Sequence, residues 1–240
     1  MRQDGHVVGI ITARGGSKRI PLKNIARVGG QPLVAWMIEA ARKSRRLERI
    51  IVSTDHPEIA RIARRWGAEV PFKRPARLAT GCPSEWVTQH AVGYLEREEH
   101  YPVSVAVTLQ PTAPFCQPQD IDACVELLFK TGADTVMTVR KIRERPEWMY
   151  AVTKDRVRKF INVTYGGDTG ISQKLQPLYI PNGAVFATSR RCLMQQKLII
   201  GKRVRVVIVP DERSLDIDEP IDLIIADVLA RQMKVTKEAR

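Results

Sequence analysis

Short runs of β-branched and aliphatic residues alternate with helical patterns from one end of this 240-residue chain to the other, and that alternation leaves few folds open. A strand followed by a helix and another strand closes most simply as a parallel pair with the helix laid over one face. The pattern predicts strands over Val7–Thr12 and Arg49–Ser53, with a helix from Pro32 to about Ser44 between them. A helix through Trp66, one from near Ser84, a strand over Val103–Leu109, a helix over Pro118–Thr131 and a strand over Thr135–Arg140 follow. Leu33, Trp36, Met37, Ala40 and Ala41 share one stripe of the first helix, and a proline opens it. Asp55 reads as a helix-start residue ahead of Pro57. Strands over Gly183–Thr188 and Val204–Val209 and a helix over Pro220–Arg231 complete the set. The fold class is therefore α/β, a doubly wound and mostly parallel sheet covered by helices on both faces.

The rhythm breaks between Lys141 and Ile180, where Asn162-Val-Thr-Tyr-Gly-Gly-Asp-Thr-Gly is too long and too irregular for an ordinary connection. Residues 1–140 and 181–231 are accordingly read as one α/β domain, 141–180 as an insertion and 232–240 as a charged tail that frays. No apolar run approaches the length of a membrane span, and Val7–Ile11 is too short for the core of a signal peptide. Cys82, Cys116, Cys124 and Cys192 form no Cys-x-x-Cys pair, and His6, His56, His90 and His100 form no metal-spaced cluster, so a reducing cytoplasm is expected. The net charge of +13 attracts polyanions of any kind, from nucleic acid to small phosphorylated substrates.

Chemistry concentrates in the loop after the first strand, Ala13-Arg14-Gly15-Gly16-Ser17-Lys18-Arg19-Ile20-Pro21-Leu22-Lys23-Asn24. In an open α/β sheet, ligands collect outside the carboxyl ends of the strands. Two adjacent glycines let backbone N–H groups approach an anion, and Arg14, Lys18, Arg19 and Lys23 supply cations for a phosphate chain. The loop is neither a P-loop, which ends in Gly-Lys-Ser/Thr, nor the dinucleotide Gly-x-Gly-x-x-Gly. Far along the chain, Asp216 and Asp218 stand two apart in Ser214-Leu-Asp-Ile-Asp-Glu-Pro220 and point the same way if that segment is extended. Such a pair suits Mg²⁺, which takes a few carboxylate oxygens together with substrate phosphates and water. Asp218 and Glu219 also read as helix-start acids before Pro220.

Taken together these segments resemble the CMP-sialic acid synthetase family (N-acylneuraminate cytidylyltransferases, including those for pseudaminic acid). Ala13–Ile25 is similar to its A-R-G-G-S-K-x-I-P-x-K-N-I signature. Matches follow in order at Ile51–Asp55, Pro71–Pro75 with Leu78-Ala79, Leu109–Pro114, Gly132–Asp134, Pro181–Ala184 and Ser214–Asp218. The resemblance implies a Rossmann-like nucleotidyltransferase fold with an inserted dimerisation subdomain, a homodimer, CTP and Mg²⁺. It implies that Arg14, Gly15, Ser17, Lys18 and Lys23 hold the triphosphate, Asn24 the ribose, and Arg74 with the backbone near Pro83 and Ser84 the cytosine. Gln110, Tyr179 and Asn182 would face an acidic nine-carbon keto sugar, Asp216 and Asp218 the metal, and Arg14, Lys23 and Asp216 would carry catalysis. The reaction implied is attack of the sugar's anomeric 2-hydroxyl on the α-phosphorus of CTP, with pyrophosphate leaving.

The chain departs from the family pattern at Gly81, Cys82, Pro83 and Glu85, where an aspartate and a Ser/Thr-rich helix start are usual, and at Pro146-Glu147-Trp148, where a lysine is usual. Arg19, in place of a commoner glycine, and Pro71-Phe72 ahead of Arg74 are closer to the enzymes for pseudaminic acid. A catalytically weakened, nucleotide-binding relative is the alternative those departures raise. A basic nucleic-acid-binding protein is the alternative raised by the pI near 9.9. An aromatic content of 6%, without any RNA-recognition or zinc-finger spacing, argues against the second.

Overall fold

The computed structural model describes residues 5–162 and 170–238. β1 (His6–Thr12) is followed by a small hairpin of β2 (Arg27–Val28) and β3 (Gln31–Pro32), which leads into α1 (Leu33–Arg42). Then come β4 (Arg49–Ser53), α2 (Pro57–Arg65), α3 (Ser84–Glu98), β5 (Val103–Leu109), α4 (Pro118–Thr131) and β6 (Thr135–Lys141). A second hairpin, β7 (Tyr150–Thr153) with β8 (Arg156–Lys159), precedes β9 (Tyr179–Ser189), β10 (Val204–Ile208) and α5 (Pro220–Glu238).

Six strands form one sheet in the order β10-β6-β9-β5-β1-β4, parallel throughout except for β9, which runs against both neighbours. Alternation along β1 shows how the sheet is covered. Val7 and Ile11 enter the core packed by α1, α2 and α4, while Val8 and Ile10 enter the one packed by α3 through Ala91, Val92 and Leu95. β5 is buried along its whole length, as a central strand with helices on both sides must be. From β1 the chain passes outward to β4 and returns on β1's other side as β5. The loops after β1 and β5 therefore diverge, and a crevice opens at their carboxyl ends.

A third, smaller core lies beneath that crevice. Ile20 from the basic loop, Val28 of β2, Leu33 of α1, Phe115, Ile217 and Ala226 and Ala230 of α5 close on one another, with Trp36 edge-on to Phe115. Gly29 (φ +58) makes this possible, since a Cβ there would stand 2.7 Å from that of Ala230. Its amide donates to Asp227 of α5 at 2.8 Å.

α5 runs to Glu238, so the charged stretch from residue 232, expected to fray, continues the helix almost to the end. β7 and β8 pair only with each other in a separate two-stranded sheet. Most of the Gly- and Tyr-rich stretch at 162–170 lies outside the described residues.

The segment Gly132-Ala-Asp134 has a structural account. Gly132 (φ +62) ends α4 in the left-handed conformation, and the Asp134 carboxylate then accepts from the Arg203 amide at 3.0 Å and from the Arg203 and Arg191 guanidinium groups at 3.1 and 2.8 Å. The Arg203 amide first, then the guanidinium groups, hold its pKa down at about 2. Because the folded value lies below the ordinary carboxylate value, this stabilisation is present above pH 4 and is lost as the pH falls toward 2. Asp134→Asn is expected to cost about 1 kcal/mol at neutral pH, a modest figure because both guanidinium groups are more than half exposed. Urea midpoints should show the gap to wild type closing between pH 4 and pH 2.

Candidate functional site

The crevice is a cleft of about 520 Å³. Arg14, Ser17, Lys18, Arg19, Lys23 and Asn24 of the basic loop line one side, Arg74, Gly81, Cys82 and Ser84 another, and Gln110, Thr112, Asp216 and Asp218 the floor and far wall. Five cationic side chains face two carboxylates within it, so its field favours an anion of high charge.

The basic loop is held by its own backbone and by its neighbours. Ala13 and Ser53, at the ends of the adjacent parallel strands, are joined by an amide-to-carbonyl bond of 3.0 Å. The Gly15 amide then donates to Asp55 Oδ1 at 2.9 Å, and the His56 ring packs so close that a Cβ on Gly15 would stand 2.9 Å from it. Asp55 is thus not the cap of α2, whose N-cap is His56; it pins the basic loop. Gly15 is placed in that packing, with its amide occupied, whereas a Cβ on Gly16 would meet nothing within 4 Å. Asn24 Nδ2 donates to the Arg14 carbonyl at 2.8 Å and closes the loop on itself.

Leu22 takes a left-handed conformation (φ 50°, ψ 35°), a sparsely populated one for a residue with a side chain. A single helical turn, Lys23–Ile25, follows it. Lys23 is largely covered, its side chain 12% exposed, and its ammonium donates to the Ile217 carbonyl and to Asp218 Oδ1 at 3.2 Å. The Ile217 amide is held in turn by the Thr112 carbonyl at 2.8 Å. Basic loop and acidic segment, 194 positions apart, therefore meet through a lysine and a strap of backbone.

Asp216 lies recessed at the cleft floor, open to water yet walled by protein. Burial raises its pKa first and the nearby Asp218 and Asp222 raise it further, against the hydrogen bond from Thr112 and the charge of Lys23. Among the described residues, no cation comes within ion-pair distance of Asp216. Nor does any group of three or more His, Cys, Asp or Glu side chains among them surround a space for an ion. A cation bound here would draw most of its ligands from substrate phosphates and water, and two hard carboxylates beside a phosphate-seeking loop fit Mg²⁺ on those terms.

Arg74 is buried, with Nε donating to Ser53 Oγ at 3.1 Å and a terminal nitrogen to the Ser53 carbonyl. Burial lowers its pKa, partly offset by Asp55. A guanidinium fixed in this way presents its remaining N–H groups in one orientation, as recognition of a flat polar edge requires. Ser84 stands at the first turn of the 15-residue α3, where unpaired amides collect.

Two residues implied by resemblance lie elsewhere. Asn182 is buried, and its side chain is engaged on both sides: Oδ1 accepts from the Thr138 hydroxyl at 2.6 Å and the Ala184 amide at 3.2 Å, and Nδ2 donates to Ser214 Oγ at 3.1 Å. It holds the bulge of β9 to the start of the acidic segment and does not line the cleft. Tyr179, exposed at the head of β9 opposite Lys141, does not line it either. Gly183, by contrast, borders the cleft beside Asp216 and Gln110, and its φ of +75° is a left-handed conformation that favours glycine.

A cytidylyltransferase family model matches residues 8–157, the stretch that carries the basic loop, Arg74 and Gln110. The chain is 31% identical over 236 residues to the CMP-N,N'-diacetyllegionaminic acid synthase of Legionella pneumophila, a match covering 97% of this chain and 98% of that protein. It is 34% identical over 238 residues to N-acylneuraminate cytidylyltransferase A of Danio rerio, covering 94% of this chain and 51% of that longer one. A solved CMP:2-keto-3-deoxy-manno-octonic acid synthetase, in complex with CTP, shares the fold with a TM-score of 0.73 at 16% identity, over 95% of this chain and all of that one.

Proposed function

This chain belongs to the cytidylyltransferase family and is a nucleotidyltransferase, and from that premise we propose that it transfers CMP from CTP to the anomeric 2-hydroxyl of a nine-carbon 2-keto sugar acid. The observation that carries the reading is the meeting of Lys23 with Ile217 and Asp218, which gathers phosphate-seeking cations and hard carboxylates at one cleft.

In this reading Arg14, Lys18 and Lys23 neutralise the triphosphate, Ser17 adds a hydroxyl, and Arg74 with the start of α3 orients the cytosine. Asn24, with its Nδ2 occupied, offers Oδ1 to the ribose. Gln110, beside Asp216 across Gly183, faces the sugar acid. The sugar oxygen bonds to the α-phosphorus as the bond to the bridging oxygen breaks, and pyrophosphate carries that electron pair away. Asp216, a cleft carboxylate with a raised pKa, is the group on this chain suited to take the hydroxyl proton. Asp216 and Asp218 would hold Mg²⁺, which supplies charge neutralisation at the phosphates. Alignment and electrostatics do most of the work in such displacements.

A homodimer belongs to the same proposal. Tyr150, Val152, Val157 and Phe160 leave an apolar surface on the β7–β8 hairpin, and Ile221, Ile224, Ile225 and Val228 leave another along α5. Surfaces of that extent on a monomer usually mark contacts. The four cysteines are free, three of them buried, which suits a reducing cytoplasm, and no helix among the described residues is long and apolar enough to cross a membrane.

The test is pyrophosphate release from CTP and Mg²⁺ against a panel of nine-carbon keto acids that includes the N-acylneuraminic, legionaminic and pseudaminic types. Turnover with at least one acid is expected, from a species of twice the chain mass by light scattering. No release with any acid would favour a weakened relative, and a fully active monomer would remove the dimer from the proposal.

A further inference from the structure

Arg19 is a cation of the cleft held by a carboxylate outside it. Its Nη1 donates to Glu219 Oε1 at 2.6 Å, and Nη2 lies 3.5 Å from Asp218 Oδ2. Glu219 itself does not line the cleft. Both ends of the bridge are anchored. The residue after Arg19 is Ile20, sunk in the third core, and the Glu219 amide donates to Asp222 Oδ2 at 2.7 Å. Arg19 and Glu219 are each about half exposed, and an exposed pair of this kind contributes little to stability. What the bridge does fix is position: a guanidinium has five N–H donors, and with one given to Glu219 and a terminal nitrogen paired with Asp218, the rest stay on a side chain that lines the cleft.

We propose that Glu219 is a positioning residue that aims Arg19 at the triphosphate end of the nucleotide, making Arg19 a further binding contact for the outer phosphates. This rests on the nucleotide reading of the cleft. It assigns work to a residue that does not line the cleft, and that assignment makes it testable apart from the reading beneath it.

The test is a double-mutant cycle on the full chain, read as the Kd of CTP with Mg²⁺ by calorimetry without sugar acid, and as KM and kcat in turnover. Arg19→Ala should weaken CTP roughly tenfold, the scale of one charge-assisted contact, with kcat little changed. Glu219→Gln should weaken it roughly threefold in the wild-type background and not at all in the Arg19→Ala background, because its effect passes through Arg19. Arg19→Lys should recover part of the loss only while Glu219 is present. Melting temperatures should stay within about 2 °C of wild type, as an exposed pair predicts.

Additive effects would overturn the proposal, as would a Glu219→Gln variant that binds CTP more tightly, since the bridge would then compete with the nucleotide. A silent Arg19→Ala alongside a damaging Lys18→Ala would sink Arg19 and leave the nucleotide site standing. Wild-type protein that does not bind CTP at all would remove the reading beneath.

Discussion

Lys23→Met should lower kcat/KM for CTP by about two to three orders of magnitude, the range seen when one preorganised charge contact to a developing anion is removed. The lysine has two tasks. It brings a positive charge into the cleft, and through Asp218 and the Ile217 carbonyl it holds the acidic segment against the basic loop. Methionine keeps the apolar stem and removes both. The Ile217 carbonyl and one side of Asp218 would then lack a donor, so CTP binding and turnover should fall together. Lys23→Arg should recover less than a tenth of the activity, because the wider guanidinium does not fit a pocket that leaves the lysine side chain 12% exposed. Steady-state pyrophosphate release, with circular dichroism to verify folding, is the measurement. A Lys23→Met enzyme within threefold of wild type would contradict the assignment.

The second large effect expected is an opposition between activity and stability at Asp216. Its pKa is raised, mainly by burial, so the native state holds this proton more tightly than the unfolded chain does. A group raised in this way favours folding below its unfolded value, and the benefit is lost as the pH climbs through the folded value. At neutral pH the ionised side chain is therefore a cost to the empty protein. Asp216→Asn should melt higher than wild type near pH 7.5 and converge with it in acid, while turnover drops about a hundredfold or more. Thermal melts at both pH values, beside the pyrophosphate assay, test this. A variant that is both less stable at pH 7.5 and still active would show that Asp216 serves only packing.

The order of strands and helices was open to reading from pattern alone, because short apolar runs are flanked by turn residues: β4, β5 and α4 begin and end where periodicity places them. What escaped were contacts between residues far apart. Asp55 precedes a proline at helix-start spacing, yet its carboxylate reaches back to Gly15 across two strands. Asn182-Gly183 has the composition of a turn, but lies in a bulge of a long strand whose amide fastens Ser214. Thr112, whose carbonyl holds the Ile217 amide, stands in a motif without any feature of its own to mark it. The β2–β3 hairpin did carry a local sign, since Gly29-Gly30, both with positive φ, is the composition that tight hairpins favour. α5 outran its expected end because no glycine or proline follows Arg231 to stop it.

The third core has a bearing on when the enzyme first becomes competent. Ile20 and Val28 are translated well before Ile217, Ala226 and Ala230, and neither group has a full set of apolar neighbours without the other. On a ribosome, the strands up to β6 can pair while the basic loop still lacks the surface it rests on. Contacts of such long sequence separation form late. Nucleotide capture should therefore appear only after α5 has left the exit tunnel, so that incomplete chains do not sequester CTP.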